Sequence, residues 1–200
     1  HIKNYLGVYV RLVDHSGQQE KENAFLAKQD LYTANQENFS KIPGMPIAYW
    51  VSKNLYNVFD NKKVIADYGS PLQGTITGDN DRFLRLWFEV SINKIKFDCQ
   101  TGEETCGFKW FPHNKGGSYR RWYGNFDYII NWEHDGYEIR NFVDKYGKLR
   151  SRPQNIQHFF KQGFSWSDLT MGKFGARWVD YGFTFNVSGP TFVPKDPKQI

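Results

Sequence analysis

The chain has little cysteine and no long apolar run. Its 200 residues contain two cysteines, Cys99 and Cys106. Without a nearby histidine cluster, this pair cannot supply the four ligands that a structural zinc needs. Low cysteine content is typical of a reducing compartment, so we expect free thiols and a cytoplasmic location, with a disulfide across the short loop as the alternative. Mean hydropathy is −0.67, and no run approaches about 18 apolar residues, which excludes a transmembrane helix and predicts no membrane partner.

The motifs of several common enzyme sites are also missing. The sequence has no G-x-x-x-x-G-K-[ST] or G-x-G-x-x-G phosphate loop, no G-x-S-x-G elbow and no H-E-x-x-H. Its five histidines show no metal-ligand spacing. Asp79 and Asp81 could act as paired carboxylates, but in a Gly-Asp-Asn-Asp context they are typical of a turn. We therefore expect no catalytic residues, metal or cofactor in this chain.

Positive charge and aromatic rings are what the sequence has in excess. The formal net charge is +5 and aromatic residues make up 18% of the chain. Residues 109–177 contain twelve Lys and Arg against six Asp and Glu, so the positive excess lies in this part. A localised excess is the pattern expected of a phosphate-binding face. The plain alternative is a surface kept soluble by its charge.

Residues 109–124 combine both features. Four cations stand among five aromatic residues: Lys109, Lys115, Arg120 and Arg121 among Trp110, Phe111, Tyr119, Trp122 and Tyr123. Cations beside flat rings suit a polyanion with stackable faces, such as nucleic acid. The pair Gly116-Gly117 would let the backbone come close to a ligand. A buried aromatic hairpin with solvated cations explains the same composition, and the residues alone leave both interpretations open.

Hydrophobic patterning predicts an α+β fold whose second part is rich in short strands. Residues 5–13 are predicted to form a strand, 16–40 a polar connector with a short helix, and 47–59 a helix with Pro46 in its first turn. Residues 74–81 are predicted to form a loop. Further strands are predicted at 83–90, 126–132, 163–166, 175–179 and 182–187, a helix capped by Asp135 at 136–142, and an exit linker at 189–197.

Residue types suited to DNA occur at several of these places. Arg pairs with guanine edges and Asn or Gln with adenine edges, whereas Lys and glycine amides suit phosphates. Residues 147–153 add three cations before a proline. The candidate DNA-binding residues are Asn80, Arg82, Asn114, Lys115, Gly116, Gly117, Arg120, Arg121, Arg140, Lys148, Arg150, Arg152, Asn155, Lys173 and Arg177.

Six ordered segments resemble one protein family. They are IPGMPIAYW at 42–50, GDNDRF at 78–83, KWFPHNKGG at 109–117, WYG at 122–124, KLRSRPQN at 148–155 and GKFGAR at 172–177. Together they resemble the PglX-type adenine-specific DNA methyltransferases of BREX phage-defence systems, which are similar to type IIG restriction-modification enzymes. Six motifs in the same order are far more specific than any one of them.

The resemblance implies a recognition module cut from a larger enzyme. Such proteins have an N-terminal methyltransferase domain, with an S-adenosylmethionine site and an Asn-Pro-Pro-Tyr motif, followed by a TaqI-like target-recognition domain. This chain has no Asn-Pro-Pro-Tyr. By the resemblance, residues 1–13 are a short tail of the methyltransferase domain, which together with the polar connector makes up residues 1–41, and residues 42–190 are the β-rich target-recognition domain. The proline-rich residues 191–200 are predicted to form an exit linker.

The same resemblance implies the partners. The intact protein would methylate the adenine N6 amine with S-adenosylmethionine, while this part selects the site on double-stranded DNA and the catalytic domain flips the base. Its partners would then be the DNA, its own N-terminal methyltransferase domain and other defence-system proteins. A carbohydrate-binding or protein-interaction module that uses the aromatic residues remains an alternative. A nuclease built on Asp14, Gln19 and Lys21 is a weak one, because their spacing leaves no room for paired strands.

Overall fold

The chain folds into two compact units. The computed structural model describes residues 4–60, 63–196 and 198, and the units comprise His1–Val64 and Ile65–Ile200. Helices and sheets are mixed, so the fold is α+β, as the sequence predicted. The assignment of residues 1–41 to a methyltransferase domain and of 42–190 to a recognition domain stays a prediction.

The first unit contains a two-stranded sheet. Its elements are β1 (Leu6–Val10), α1 (Gly17–Leu26), β2 (Leu31–Asn35) and α2 (Lys53–Asp60). The predicted strand and short helix correspond to β1 and α1. β2 lies inside the expected polar connector and was not predicted from the sequence. β2 forms because it pairs antiparallel with β1, and this pairing outweighs its modest intrinsic strand preference.

The helix expected at residues 47–59 begins later than predicted. α2 starts at Lys53, so Pro46 is not in its first turn. The preceding amides close tight turns instead: Ala48 donates to the Pro46 carbonyl over 2.8 Å, and Val51 donates to the Ala48 carbonyl over 3.2 Å. The Tyr56 hydroxyl donates to the same Ala48 carbonyl over 2.7 Å. These hydrogen bonds keep the residues before α2 in tight turns, so they do not extend the helix.

The second unit contains two four-stranded sheets. Its elements are α3 (Ile65–Tyr68), β3 (Gly69–Leu72), α4 (Asn80–Phe83), β4 (Leu84–Leu86), β5 (Trp110–Asn114), β6 (Tyr128–Asn131), α5 (Glu133–Arg140), β7 (Gly163–Ser165), β8 (Arg177–Val179), β9 (Thr184–Phe185) and β10 (Thr191–Pro194). One sheet has the order β3-β10-β7-β8 and the other β4-β6-β5-β9. Neighbouring strands run antiparallel except β5 and β9, which are parallel.

Two segments of the second unit differ from the prediction. β10 lies between β3 and β7 and buries Phe192 and Val193, so residues 191–194 belong to a sheet and not to an exit linker. The sequence there is proline-rich, but its Thr-Phe-Val core favours a strand. The strand expected at 83–90 ends at Leu86, because the Glu89 carboxylate accepts the Leu86 amide over 2.6 Å and closes a 3₁₀ turn.

The helix expected at 136–142 also differs. α5 begins at Glu133, so Asp135 lies inside the element and does not cap it. The backbone is left-handed at His134, Asp135 and Gly136. Gly136 is needed there, because a Cβ would lie 2.8 Å from the Trp132 ring.

Aromatic rings dominate the core of the second unit. The main cluster consists of Phe83, Leu84, Cys99, Phe111, Ile130, Trp132, Ile139, Phe159, Phe160 and Phe185. Several of these rings meet edge to face, such as Trp132 on Phe159 with centroids 5.0 Å apart. β4, β5, β6 and β9 each contribute one residue to this cluster, so the sheet that they form packs directly against the aromatic core.

Cys99 is buried, Cys106 is exposed and both are free thiols; burial raises the pKa of Cys99 to about 11. Across residues 4–60, 63–196 and 198, no helix combines the length and apolar character needed to cross a bilayer. The same residues contain no cluster of three or more His, Cys, Asp or Glu placed to hold a metal ion.

Candidate nucleic-acid interface

The basic and aromatic segment at residues 109–124 divides into a buried strand and an exposed loop. All five positions of β5 are buried, and Phe111 is 0% exposed. Beyond β5 the chain leaves the sheet, and Tyr119, Trp122 and Tyr123 are 48%, 69% and 69% exposed. The buried-hairpin interpretation therefore applies to the rings of β5. It does not apply to residues 118–123, which we call the aromatic loop.

The backbone of the aromatic loop is fixed although its rings face solvent. Trp122 has a positive φ of 74°, which is unfavourable for a bulky L-residue. Its amide donates to the Ala176 carbonyl over 2.8 Å, and its carbonyl accepts the Trp178 amide over 2.9 Å. Strain retained at an exposed aromatic residue suggests a functional constraint. The loop thus presents the indole to solvent from a defined position.

Two arginines accompany these rings. Arg120 and Arg121 are exposed, and neither forms an ion pair within the described part of the chain. The Arg121 guanidinium carbon lies 5.8 Å from the ring centroids of both Tyr119 and Trp122. This arrangement offers both positive charge and stacking faces to an external partner.

Gly116 and Gly117 serve packing within the protein. A Cβ at Gly116, where φ is 77°, would lie 2.4 Å from the Ser188 carbonyl oxygen. The Gly117 amide donates to Ser167 Oγ over 3.1 Å, and the Gly116 amide donates to Asn114 Oδ1 over 3.4 Å. Both amides already have partners, so the phosphate-binding role expected of them gains no support.

Asn114 is part of the core. Its side chain is 0% exposed, and its amide nitrogen donates to Ser165 Oγ and, over 3.2 Å, to the Gly189 carbonyl. Because Ser165 belongs to the other sheet, Asn114 ties the two sheets together. We therefore leave Asn114 out of the candidate interface.

The Gly-Asp-Asn-Asp-Arg motif forms a turn with mostly internal contacts. Asp79 caps α4 by accepting the Arg82 amide over 3.1 Å. Thr77 Oγ1 and Asn80 Oδ1 lie 2.6 Å apart. The Arg82 guanidinium pairs with the Glu138 carboxylate at 2.6 Å, and this hydrogen bond lowers the pKa of Glu138. These contacts favour a shape-fixing role for the motif, although Asn80 remains exposed.

Asn80 and Lys115 line two adjoining cavities. One, of about 360 Å³, also includes Gly78 and Ser188, and the other, of about 440 Å³, includes Tyr128. Lys115 Nζ lies 4.5 Å from the Tyr128 ring centroid. The structure thus brings together two predicted residues that are distant in sequence.

The other predicted cations and Asn155 have varied surroundings. Arg150 donates to the Gly78 carbonyl over 3.2 Å and lies over Phe142, as Arg82 does. Arg140 pairs with Asp135 at 2.7 Å, and Asn155 donates to the Gln73 carbonyl over 2.8 Å. Lys148 and Arg152 are exposed, and among the described residues neither forms an ion pair. The predicted residues are therefore not all free to contact a ligand.

A small cavity beside the aromatic loop groups Gly117, Lys173 and Arg177. Ser167 and Thr170 also line it, and neither was predicted from the sequence. The available signal was their position in the polar loop between the strands predicted at 163–166 and 175–179.

Arg177 is 1% exposed, and burial lowers the pKa of its guanidinium.

The fold and these side chains define a class of module. The second unit is a β-rich α+β unit with an exposed loop of cations and rings next to a small cavity lined by Lys173 and Arg177. Such a surface is suited to binding a polyanion. No family model matches the chain.

Two proteins match the chain over nearly its whole length. It is 38% identical over 203 aligned residues to the adenine-specific methyltransferase PglX of Lacticaseibacillus casei (strain Zhang), covering 98% of this chain and 17% of that protein. It is 37% identical over 190 residues to the adenine-specific methyltransferase BrxX of Escherichia coli O9:H4 (strain HS), covering 94% of this chain and 15% of that protein. The resemblance predicted from the six segments is confirmed: the chain is related to PglX- and BREX-type adenine-specific methyltransferases. It spans about one sixth of their length.

Proposed function

We propose that this chain is the DNA-recognition module of an adenine-specific methyltransferase. The module binds duplex DNA and selects the site, and a separate catalytic domain transfers the methyl group from S-adenosylmethionine to adenine N6. Its partners are then double-stranded DNA, that catalytic domain and other proteins of a BREX-like defence system. The relatives' names support methyl transfer to adenine as the activity of the whole protein.

The observation that carries the proposal is the aromatic loop. It has three exposed rings and two arginines without ion pairs among the described residues, on a backbone fixed by β8. Neutral glycans would use the rings but do not need the cations. DNA uses both, since phosphates bind the cations, and sugars or base edges in the grooves contact the rings.

The test is an anisotropy titration of the 200-residue chain with a labelled mixed-sequence duplex at two salt concentrations. We expect binding that weakens with salt, because each phosphate contact releases counterions. The double variant Arg120→Glu/Arg121→Glu should bind more weakly. Its salt slope, the slope of log affinity against log salt concentration, should be smaller in magnitude by roughly 1.8, as expected for the loss of about two phosphate contacts.

A matched control distinguishes the effect of losing the loop cations from the effect of changing the net charge. Lys94 and Lys161 are exposed cations of the same unit outside the candidate interface, so Lys94→Glu/Lys161→Glu changes net charge equally. This control should retain most of the affinity. Equal losses in both variants would mean that binding follows net charge alone, and competition by oligosaccharides would favour a carbohydrate-binding module.

A further inference from the structure

Arg177 has an incomplete set of partners for a buried cation. Its side chain is 1% exposed, yet Nε and Nη2 are buried without a hydrogen-bond partner. Its remaining nitrogen, Nη1, donates to Ser167 Oγ at the long distance of 3.5 Å. Buried guanidinium groups normally pair with an anion, because an uncompensated buried charge is strongly destabilising.

No acidic residue in the described part of the chain supplies this anion. Arg177 forms no ion pair there, and the residues that line its cavity include no Asp or Glu. The nearby charged residue on the cavity wall is instead a second cation, the exposed Lys173. The cavity is therefore electropositive.

The walls of this cavity are fixed by close packing. A Cβ at Gly175 would lie 2.5 Å from the Arg120 carbonyl oxygen. Ser167 Oγ accepts the Gly117 amide over 3.1 Å and donates to the Gly117 carbonyl over 2.7 Å. Tyr119 of the aromatic loop forms part of the same wall. Arg177, which carries the two unpartnered nitrogens, thus lines a small, built cavity directly beside the proposed DNA-binding loop.

We propose that the Arg177 cavity receives one unesterified oxygen of a backbone phosphate of the nucleic acid that the aromatic loop binds. This inference rests on the proposed function. The cavity has about 10 Å³, which admits one atom of the size of a water oxygen and not a whole phosphate group. The planar guanidinium offers Nε and Nη2 as paired donors to that oxygen, and Lys173 on the same wall adds a second positive charge.

The test uses Arg177→Met, which keeps similar volume without charge, and Arg177→Lys, which keeps charge without the paired donors. Because the free protein buries this charge unpaired, Arg177→Met should be at least as heat-stable as wild type. It should bind duplex at least about tenfold more weakly, with a salt slope smaller by about 0.9. Arg177→Lys should recover the slope but only part of the affinity.

A direct readout on the wild-type chain covers the case in which Arg177→Met fails to fold. We would follow the ¹H–¹⁵N signal of Arg177 Nε during titration with duplex, with inorganic phosphate and with sodium chloride at equal ionic strength, and assign it with Arg177→Lys. We expect duplex to shift the signal strongly, phosphate weakly and chloride not at all.

Each other outcome overturns a distinct claim. If duplex binds but leaves Arg177 Nε and the salt slope of Arg177→Met unchanged, the cavity holds only water, and the proposed function survives. If duplex fails to bind while phosphate shifts the signal, the cavity is a free-anion site, and both the nucleic-acid assignment and the proposed function fail.

Discussion

β5 and the aromatic loop belong to the same basic and aromatic segment, yet the rings of β5 are buried and those of the loop are exposed. In β5, which lies between β6 and β9, the rings are buried, so they stabilise the fold. In the aromatic loop the rings of Tyr119, Trp122 and Tyr123 are about half to two thirds exposed. The change occurs at Gly116-Gly117, where positive φ and close packing against Ser188 turn the chain out of the sheet. An aromatic residue therefore indicates function only where the backbone takes it out of the sheet.

The largest expected difference between the two regions is in stability. Phe111→Ala removes a ring that is 0% exposed in the main cluster and should lower the free energy of unfolding by about 3–5 kcal/mol. Trp122→Ala should change it by less than about 1 kcal/mol, since that side chain is largely in solvent. Urea denaturation followed by circular dichroism measures both. Similar losses in the two variants would mean that the aromatic loop is structural.

Acid should destabilise β5 through His113. Burial lowers the pKa of His113 to about 3, and its Nδ1 lies 2.7 Å from Thr184 Oγ1. In the unfolded chain His113 takes up a proton below about pH 6.5, whereas in the fold it stays neutral. Its contribution to stability is therefore complete above pH 6.5 and is lost as pH falls toward 3.

The expected loss between pH 7 and pH 5 is roughly 2 kcal/mol in the free energy of unfolding. Urea midpoints at the two pH values measure it, and the variant His113→Asn should show a smaller pH dependence. His134→Asn, at an exposed position, is the control and should behave like wild type. An unchanged pH dependence in His113→Asn would contradict the assignment.

In the aromatic loop, removal of a ring should lower the affinity for duplex DNA and leave stability nearly unchanged. Trp122→Ala should weaken duplex binding by about 1 kcal/mol, the low end of the range for a ring that stacks on an unpaired base, because in a duplex the indole can contact only sugars and base edges. Anisotropy titration at fixed salt measures this loss. Trp87→Ala, at another exposed tryptophan of the second unit, should bind as wild type does, and an equal loss there would show that affinity does not depend on the position of the ring.

The smallest effect is expected at the turn of residues 78–82. Asp79→Ala removes the cap of α4 and should cost about 1 kcal/mol of stability. Asp79→Asn should recover most of it, because an amide oxygen can also accept the Arg82 amide. Thermal unfolding measures the loss. Because the contacts of Asp79 are internal, duplex affinity should change little. A large loss of affinity would mean that this turn contacts the DNA.

Much of the fold was predictable because local pattern and tertiary structure agree. β1, β6, β7 and β8 lie within predicted strands, where β-branched and aromatic residues cluster. β2 was missed because its pairing with β1 outweighs a polar sequence. β10 was taken for a linker because prolines flank it, whereas the burial of Phe192 and Val193 requires the folded sheet.

The candidate site was less predictable because side-chain types do not reveal burial. Arg120 and Arg121 are exposed as a ligand would need, but Asn114 and Arg177, equally suitable by type, are buried. Arg82 pairs with Glu138, which is far from it in sequence, and Arg140 pairs with Asp135 of the same helix. Which cations have such partners is decided in the folded structure and not by residue type.

The most direct test of the central claim is a comparison of tryptophan indole signals in one titration. The ¹H–¹⁵N indole resonances of Trp122, Trp110 and Trp132 would be assigned with single Trp→Phe variants and followed as duplex DNA is added. We predict that the Trp122 signal shifts, while those of the buried Trp110 and Trp132 stay in place. Bound duplex with an unmoved Trp122 signal would contradict the claim that the aromatic loop is the DNA-binding surface.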